Sequence, residues 1–195
     1  MDQKEILHGY LRNRRADLVG KLDGLSEYDA RRPLTLSGTN VLGVIKHVAS
    51  VELGYFTDTF GRPTGRELPW FAEGAEPDLD FWAAPEETRE DILELHRFSA
   101  EACDAVIEEL PLDAPGAVPW WPEERRAVTL QQILVHMLVE TSRHCGHVDI
   151  VRELIDGEVG QQPGDRMVDH RDLDSWAAHR ARLEAAAAEA GRRYD

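Results

Sequence analysis

Cysteine is nearly missing from this chain: Cys103 and Cys145 are the only two among 195 residues. Neither lies in a Cys-x-x-Cys pair, which argues against a redox dithiol or a zinc ribbon, and two thiols cannot staple a disulfide scaffold. They read as reduced thiols of a cytoplasmic protein. Lysine is almost as scarce, present only as Lys4, Lys21 and Lys46, so arginine carries most of the positive charge, a bias that points to a high-GC genome. Positive charge is itself in deficit: 37 acids against 22 bases leave a formal charge of −15. A field of that sign repels phosphate backbones and anionic bilayers, so no nucleic-acid or membrane partner is expected. No apolar run approaches the ~20 residues of a membrane span. The opening Met-Asp-Gln-Lys-Glu-Ile-Leu-His puts charges where a secretory leader needs an apolar core. Strand signals are nearly absent too, which leaves an all-α class.

Helical periodicity fills that space. Residues 2 to about 25 carry Ile6, Leu7, Tyr10, Leu11, Leu18 and Leu22 at helical spacing. After a connection broken by Pro33, Thr39 or Asn40 caps a second helix running to about residue 60, where Gly61-Arg-Pro stops it. Residues 61–84 form a loop whose Trp70, Phe71, Phe81 and Trp82 are expected to fold back on the core. Pro85-Glu-Glu marks the start of a third helix reaching about Leu110. Residues 111–128, with Pro119-Trp-Trp-Pro122, are an irregular link that can hold short strands at its two ends. Thr129-Leu-Gln-Gln132 reads as a capping box opening a fourth helix to about Ile155. A polar linker over 158–169 leads to a last, Ala-rich helix over 172–193 whose apolar face is thin. The expected division is a bundle over residues 1–160 and a helical extension over 161–195.

The densest chemistry lies in His136-Met-Leu-Val-Glu140-Thr-Ser-Arg-His144-Cys-Gly-His147. Steps of four, four and three residues keep these side chains within a wedge of about 80° on one helix. Such groups are costly to bury unless something binds them. Spacing admits His136/Glu140, Glu140/His144 or His144/His147 as a pair of metal ligands, and His47, set mid-helix among apolar residues, is the best third donor. Three N/O donors with open positions describe a catalytic or ligand-binding metal site. Zinc, nickel and iron all tolerate that set. The same residues also suit a solvated helix face with Glu140 paired to Arg143 or His144.

Asn40-Val-Leu-Gly-Val-Ile-Lys-His47-Val-Ala and Glu140-Thr-Ser-Arg-His144-Cys-Gly-His147-Val-Asp together resemble the DinB-like superfamily, in a branch related to the mycothiol-dependent maleylpyruvate isomerases. The likeness spans residues 2 to about 160 and includes Gly61-Arg-Pro, Trp82-Ala-Ala-Pro-Glu-Glu-Thr, Val118-Pro-Trp-Trp-Pro and Arg152-Glu-Leu-Ile-Asp-Gly157. It implies an up-down-down-up four-helix bundle and a divalent metal on His47, Glu140 and His144. Many relatives carry histidine where Glu140 stands, while the isomerase branch resembles this chain in having glutamate there. His147 and His136 then become supporting residues near the ligands. The resemblance further implies a transferase or isomerase that uses a low-molecular-weight thiol such as mycothiol, acting on an electrophilic substrate, in a homodimer.

A metal-dependent hydrolase and a non-catalytic metal-binding stress protein stand as alternatives. Arg143 and Asn40 are candidates to meet an anionic substrate group, and Trp82, Trp120 and Trp121 to wall the pocket mouth. Cys145 and Cys103 read as packing residues. His8, His96, His170 and His179 read as surface or helix-face residues, and Arg152 with Glu153 as an ion pair.

Overall fold

The computed structural model describes residues 2–161, 165 and 172–194; His170 and most of the expected 158–169 linker's second half lie outside them. Among the described residues, six α-helices and one two-stranded ribbon are formed: α1 (Gln3–Gly20), α2 (Glu27–Arg31), α3 (Val41–Phe56), α4 (Arg89–Glu109), β1 (Pro115–Ala117), β2 (Ala127–Thr129), α5 (Leu130–Asp156) and α6 (Leu173–Tyr194). The all-α expectation holds. α1, α3, α4 and α5 make the bundle, and side-chain partners give its directions. Lys4 reaches the Glu108 and Leu110 carbonyls while Arg89 reaches the Leu25 carbonyl, so α1 and α4 are antiparallel. Lys46 binds Glu87 and Cys103 reaches the Glu52 carbonyl, so α3 and α4 run parallel. Cys145 meets the Arg14 carbonyl and Arg152 that of Lys21, which makes α1 and α5 parallel. The order is up-down-down-up.

Helix boundaries follow local chemistry, with three departures from the periodic pattern. α1 stops at Gly20, although Leu22 and Leu25 beyond it are buried; a turn through Gly24 (φ 76°) keeps them against the core. The segment before Pro33, expected as a plain connection, holds the short α2, capped by the Ser26 hydroxyl on the Asp29 amide. The third long helix begins at Arg89 and not at Pro85. Thr88 and Asp91 form a reciprocal capping box there, and Glu87 is drawn away to Lys46 and the Ala84 amide. Thr129 does cap α5 by accepting from the Gln132 amide, and Gly157 ends it in the left-handed region at φ 80°. The ribbon pairs Pro115 with Thr129 and Ala117 with Ala127, at the two ends of the irregular link as expected.

Two apolar clusters fill the bundle. One gathers Leu11, Phe56, Ile107, Ile133 and Met137; the other gathers Leu18, Val44, Ile45, Val48 and Val148. Polar residues separate them. On one side Arg15 bridges Glu52 and Asp104 (2.5 Å to the latter), and His8 meets Asp104 at 2.7 Å. His8 is therefore buried and hydrogen-bonded to Asp104, on the core-facing side of its helix and not at the surface. On the other side, between Met137 and Cys145, lies the histidine stripe. The described side chains of α6 are exposed or half-buried. No helix among the described residues is long and apolar enough to cross a membrane.

Candidate metal centre

α3 and α5 run antiparallel and bring His47 opposite Glu140 and His144. One ligand atom from each of the three lies within 4.8 Å of the others. Glu140 Oε1 sits 3.1 Å from His144 Nε2 and 3.8 Å from His47 Nε2, and the two imidazole centroids are 4.8 Å apart. His47 and His144 are buried, while Glu140 is half-buried and gives the cluster its opening to solvent. Burial holds the His144 imidazole below its ordinary pKa, and His47 beside it adds to that depression. A neutral ring keeps a lone pair free for a cation.

His47 is oriented by a residue that sequence reasoning missed. Asp80, 33 positions along the chain, lies with Oδ2 2.6 Å from His47 Nδ1. A proton on Nδ1 donates to that carboxylate, which leaves Nε2 with its lone pair. Nε2 is buried, faces Glu140 and has no hydrogen-bond partner among the described residues. A buried acceptor left in that state costs about 1–3 kcal/mol unless a ligand satisfies it. Phe81 stacks on the other face of the ring, with centroids 3.8 Å apart and planes 18° from parallel. The imidazole is thus held on an edge and on a face.

The turn bearing Asp80 and Phe81 is anchored to the first turns of α3. Asn40 caps α3 by accepting from the Gly43 amide and donates to the Phe81 carbonyl at 3.1 Å. Gly43 is required there: a Cβ would lie 1.8 Å from the Phe81 carbonyl oxygen. Lys46 donates to the Leu79 and Trp82 carbonyls, pairs with Glu87, and lies 4.1 Å over the Trp70 ring. Trp70 in turn donates to the Ser50 hydroxyl, so of the four loop aromatics expected on the core Trp70 and Phe81 fold back, while Phe71 and Trp82 stay exposed.

Other expected site residues fall elsewhere. Asn40 is buried in its capping role, so it faces no substrate. Arg143 is exposed. His147 is exposed, with its ring 5.4 Å edge-on from His144, and stands beside the donors. His136 belongs to an aromatic group with Tyr55 (4.7 Å) and Trp121 (5.3 Å), one helical turn from Glu140. Trp121 donates to the Tyr55 hydroxyl, and Trp120 packs edge-on against the same ring. The Trp82 side chain is 45% exposed; the aromatic face against His47 belongs to its neighbour Phe81. Cys145 is buried beside Arg14, and burial pushes its thiol up to about 11, so it supplies no nucleophile near neutral pH. Arg152 pairs with Asp156 at 2.8 Å, not with Glu153, which is exposed.

The family model described as mycothiol-S-transferase matches residues 6–157. No curated protein and no solved structure gives a significant match.

Proposed function

Because the chain belongs to the mycothiol-S-transferase family, a DinB-like family, we propose that it holds one divalent cation on His47, Glu140 and His144 and transfers a low-molecular-weight thiol, mycothiol, to an electrophile in the cytoplasm. The observation that carries this reading is the buried, unsatisfied Nε2 of His47 aimed at Glu140. The N/O/N donor set suits zinc, nickel or iron. A cation in that set supplies Lewis acidity, lowering the pKa of a coordinated thiol into the neutral range. The remaining work falls to side chains. Asp80 and Phe81 fix the His47 ring, Glu140 offsets cationic charge at the solvent opening, and the apolar clusters on both sides keep bulk water from the inner faces of the two histidines. Neither cysteine competes with the incoming thiol, because both are buried and burial raises both pKa values. Exposed Val135, Val139, Ile150 and Leu154 fall within about 100° on α5, which supports a homodimer formed through that face.

The test is elemental analysis of untagged, chelator-free protein, together with thiol-dependent turnover of an electrophilic dye. We expect close to one equivalent of metal, lost with turnover in His47→Ala and His144→Ala while helicity persists. Protein that stays metal-free after titration with zinc, nickel and iron would overturn the reading. Thiol-independent ester or amide hydrolysis would move it to the hydrolase alternative, and metal binding with neither activity to a non-catalytic metal-binding protein.

A further inference from the structure

A groove of about 800 Å³ runs along α3 from Ser50 to Asp58 and is closed on its far side by the 63–71 segment. Its inner end lies at Ser50 and Val51, three and four residues beyond His47, or about one helical turn of ~5.4 Å. Tyr55 on the same wall touches His136, one turn before Glu140. None of the three proposed donors lines the groove; its nearest wall residues, Ser50 and Val51, stand about one turn of α3 from His47. Its volume falls within the ~300–1,000 Å³ of small-molecule sites.

The walls select by shape and by charge. Gly54 leaves room under Trp120: a Cβ there would lie 3.1 Å from the indole. Leu68 and Phe71 face this wall, and Phe71 and Trp120 are each 51% exposed, so the groove presents two open aromatic rings. Its one cation, Arg66, is already engaged. Both terminal nitrogens donate to the Glu94 carboxylate, at 3.0 and 2.7 Å, and the guanidinium lies 4.8 Å over Phe98. Asp58 and Glu67 add two carboxylates to the lining. An anion entering the groove would lose hydration and find no free positive group.

We propose that this groove receives the electrophile, and that the electrophile is an uncharged, apolar molecule of aromatic-ring size and not a carboxylate. This inference rests on the thiol-transfer reading above. With a chloroarene in the groove, the thiol sulfur forms a C–S bond to the ring carbon, the C–Cl bond breaks, chloride leaves with its electron pair, and the thiol proton passes to solvent.

The test is calorimetric titration of the full chain, without added metal or thiol, using two unreactive probes: 1,3-dinitrobenzene and its anionic counterpart 3,5-dinitrobenzoate. We expect the neutral probe to bind at least about tenfold more tightly, and Gly54→Leu to weaken it by about tenfold or more, each tenfold being ~1.4 kcal/mol. Trp120→Ala, which removes a half-exposed wall without filling the groove, should weaken it severalfold with helicity unchanged. Equal or tighter binding of the benzoate would overturn the assignment. So would a neutral-probe affinity that neither substitution changes. Because neither metal nor thiol enters this titration, failure of thiol transfer in the earlier assay is read separately from failure of the groove.

Discussion

Removing the Asp80 carboxylate should weaken metal binding even though Asp80 is not a proposed ligand. Its Oδ2 lies 2.6 Å from His47 Nδ1, and both side chains are about nine-tenths buried. In Asp80→Ala the Nδ1 proton loses its acceptor, and the tautomer with the proton on Nε2, which cannot donate a lone pair toward Glu140, becomes competitive. Loss of such a carboxylate behind a histidine ligand typically costs 10–100-fold in metal affinity, or about 1.4–2.7 kcal/mol. Asp80→Asn keeps a neutral acceptor at the same place. Charge-assisted hydrogen bonds are roughly twice as strong as neutral ones, so about half of that free energy should be retained and the loss should be roughly three- to tenfold. Competition of the protein with a chromophoric chelator for zinc, at fixed pH and with circular dichroism as the folding control, measures the series. The expected order of affinity is parent, Asp80→Asn, Asp80→Ala, His47→Ala. If Asp80→Ala bound zinc within twofold of the parent while His47→Ala lost binding, the carboxylate would only anchor its turn and the tautomer argument would fail.

Other outcomes follow from buried groups. Burial, with Arg15 and Arg97 nearby, depresses His96 from 6.5 to about 4. The unfolded chain takes up that proton as pH falls below about 6.5, while the folded chain resists until about 4, so stability is present above 6.5 and is lost across that window, by at most about 3 kcal/mol. His96→Gln should flatten the pH dependence of urea midpoints over the same range, and an unchanged slope would show that His96 is not its source. Gly43→Ala places a methyl 1.8 Å from the Phe81 carbonyl oxygen. Overpacking of that kind costs about 1–3 kcal/mol, against the ~1 kcal/mol that alanine gains in helix propensity. It should also lower zinc affinity by displacing Asp80, measured in the same chelator titration.

The bundle was legible because each long helix carries its own period: Leu11 and Leu18 on α1, Val44, Ile45 and Val48 on α3, and Met137 and Val148 on α5 are all buried. The step of four on α5 and the lone histidine on α3 marked where to look but left three pairs on α5 open; the family resemblance singled out Glu140 and His144, which the structure brings within reach of His47. Asp80 was not legible, and neither was the stacking of Phe81, expected only to return to the core, on the His47 ring. Both residues lie in a Gly- and Pro-rich segment with no period, and their approach to His47 depends on a turn pinned by Asn40 and Lys46, contacts that span 33 to 41 residues of chain. The side to which His8 turns was not legible, because one histidine on an amphipathic helix looks the same whether it faces water or a buried carboxylate; its partner Asp104 is 96 residues away. The start of α4 was misplaced because two competent N-terminal signals lie within four residues of each other, and only the tertiary partner of Glu87 decides between them.

The parallel run of α3 and α4 has a consequence for how such a protein can diversify. Two parallel neighbours cannot be joined by a tight turn, so the chain needs a long return between Phe56 and Arg89. That return splits into two stretches with different freedoms. The stretch near Asp80 is bound to His47 and to the start of α3, and a change there disturbs the donors. The stretch over residues 63–71 closes the groove and contains no donor. Apart from Trp70, which lies against Lys46, its side chains can therefore drift from one descendant to another, which under the proposals above would exchange the molecules accepted while leaving the proposed metal site in place.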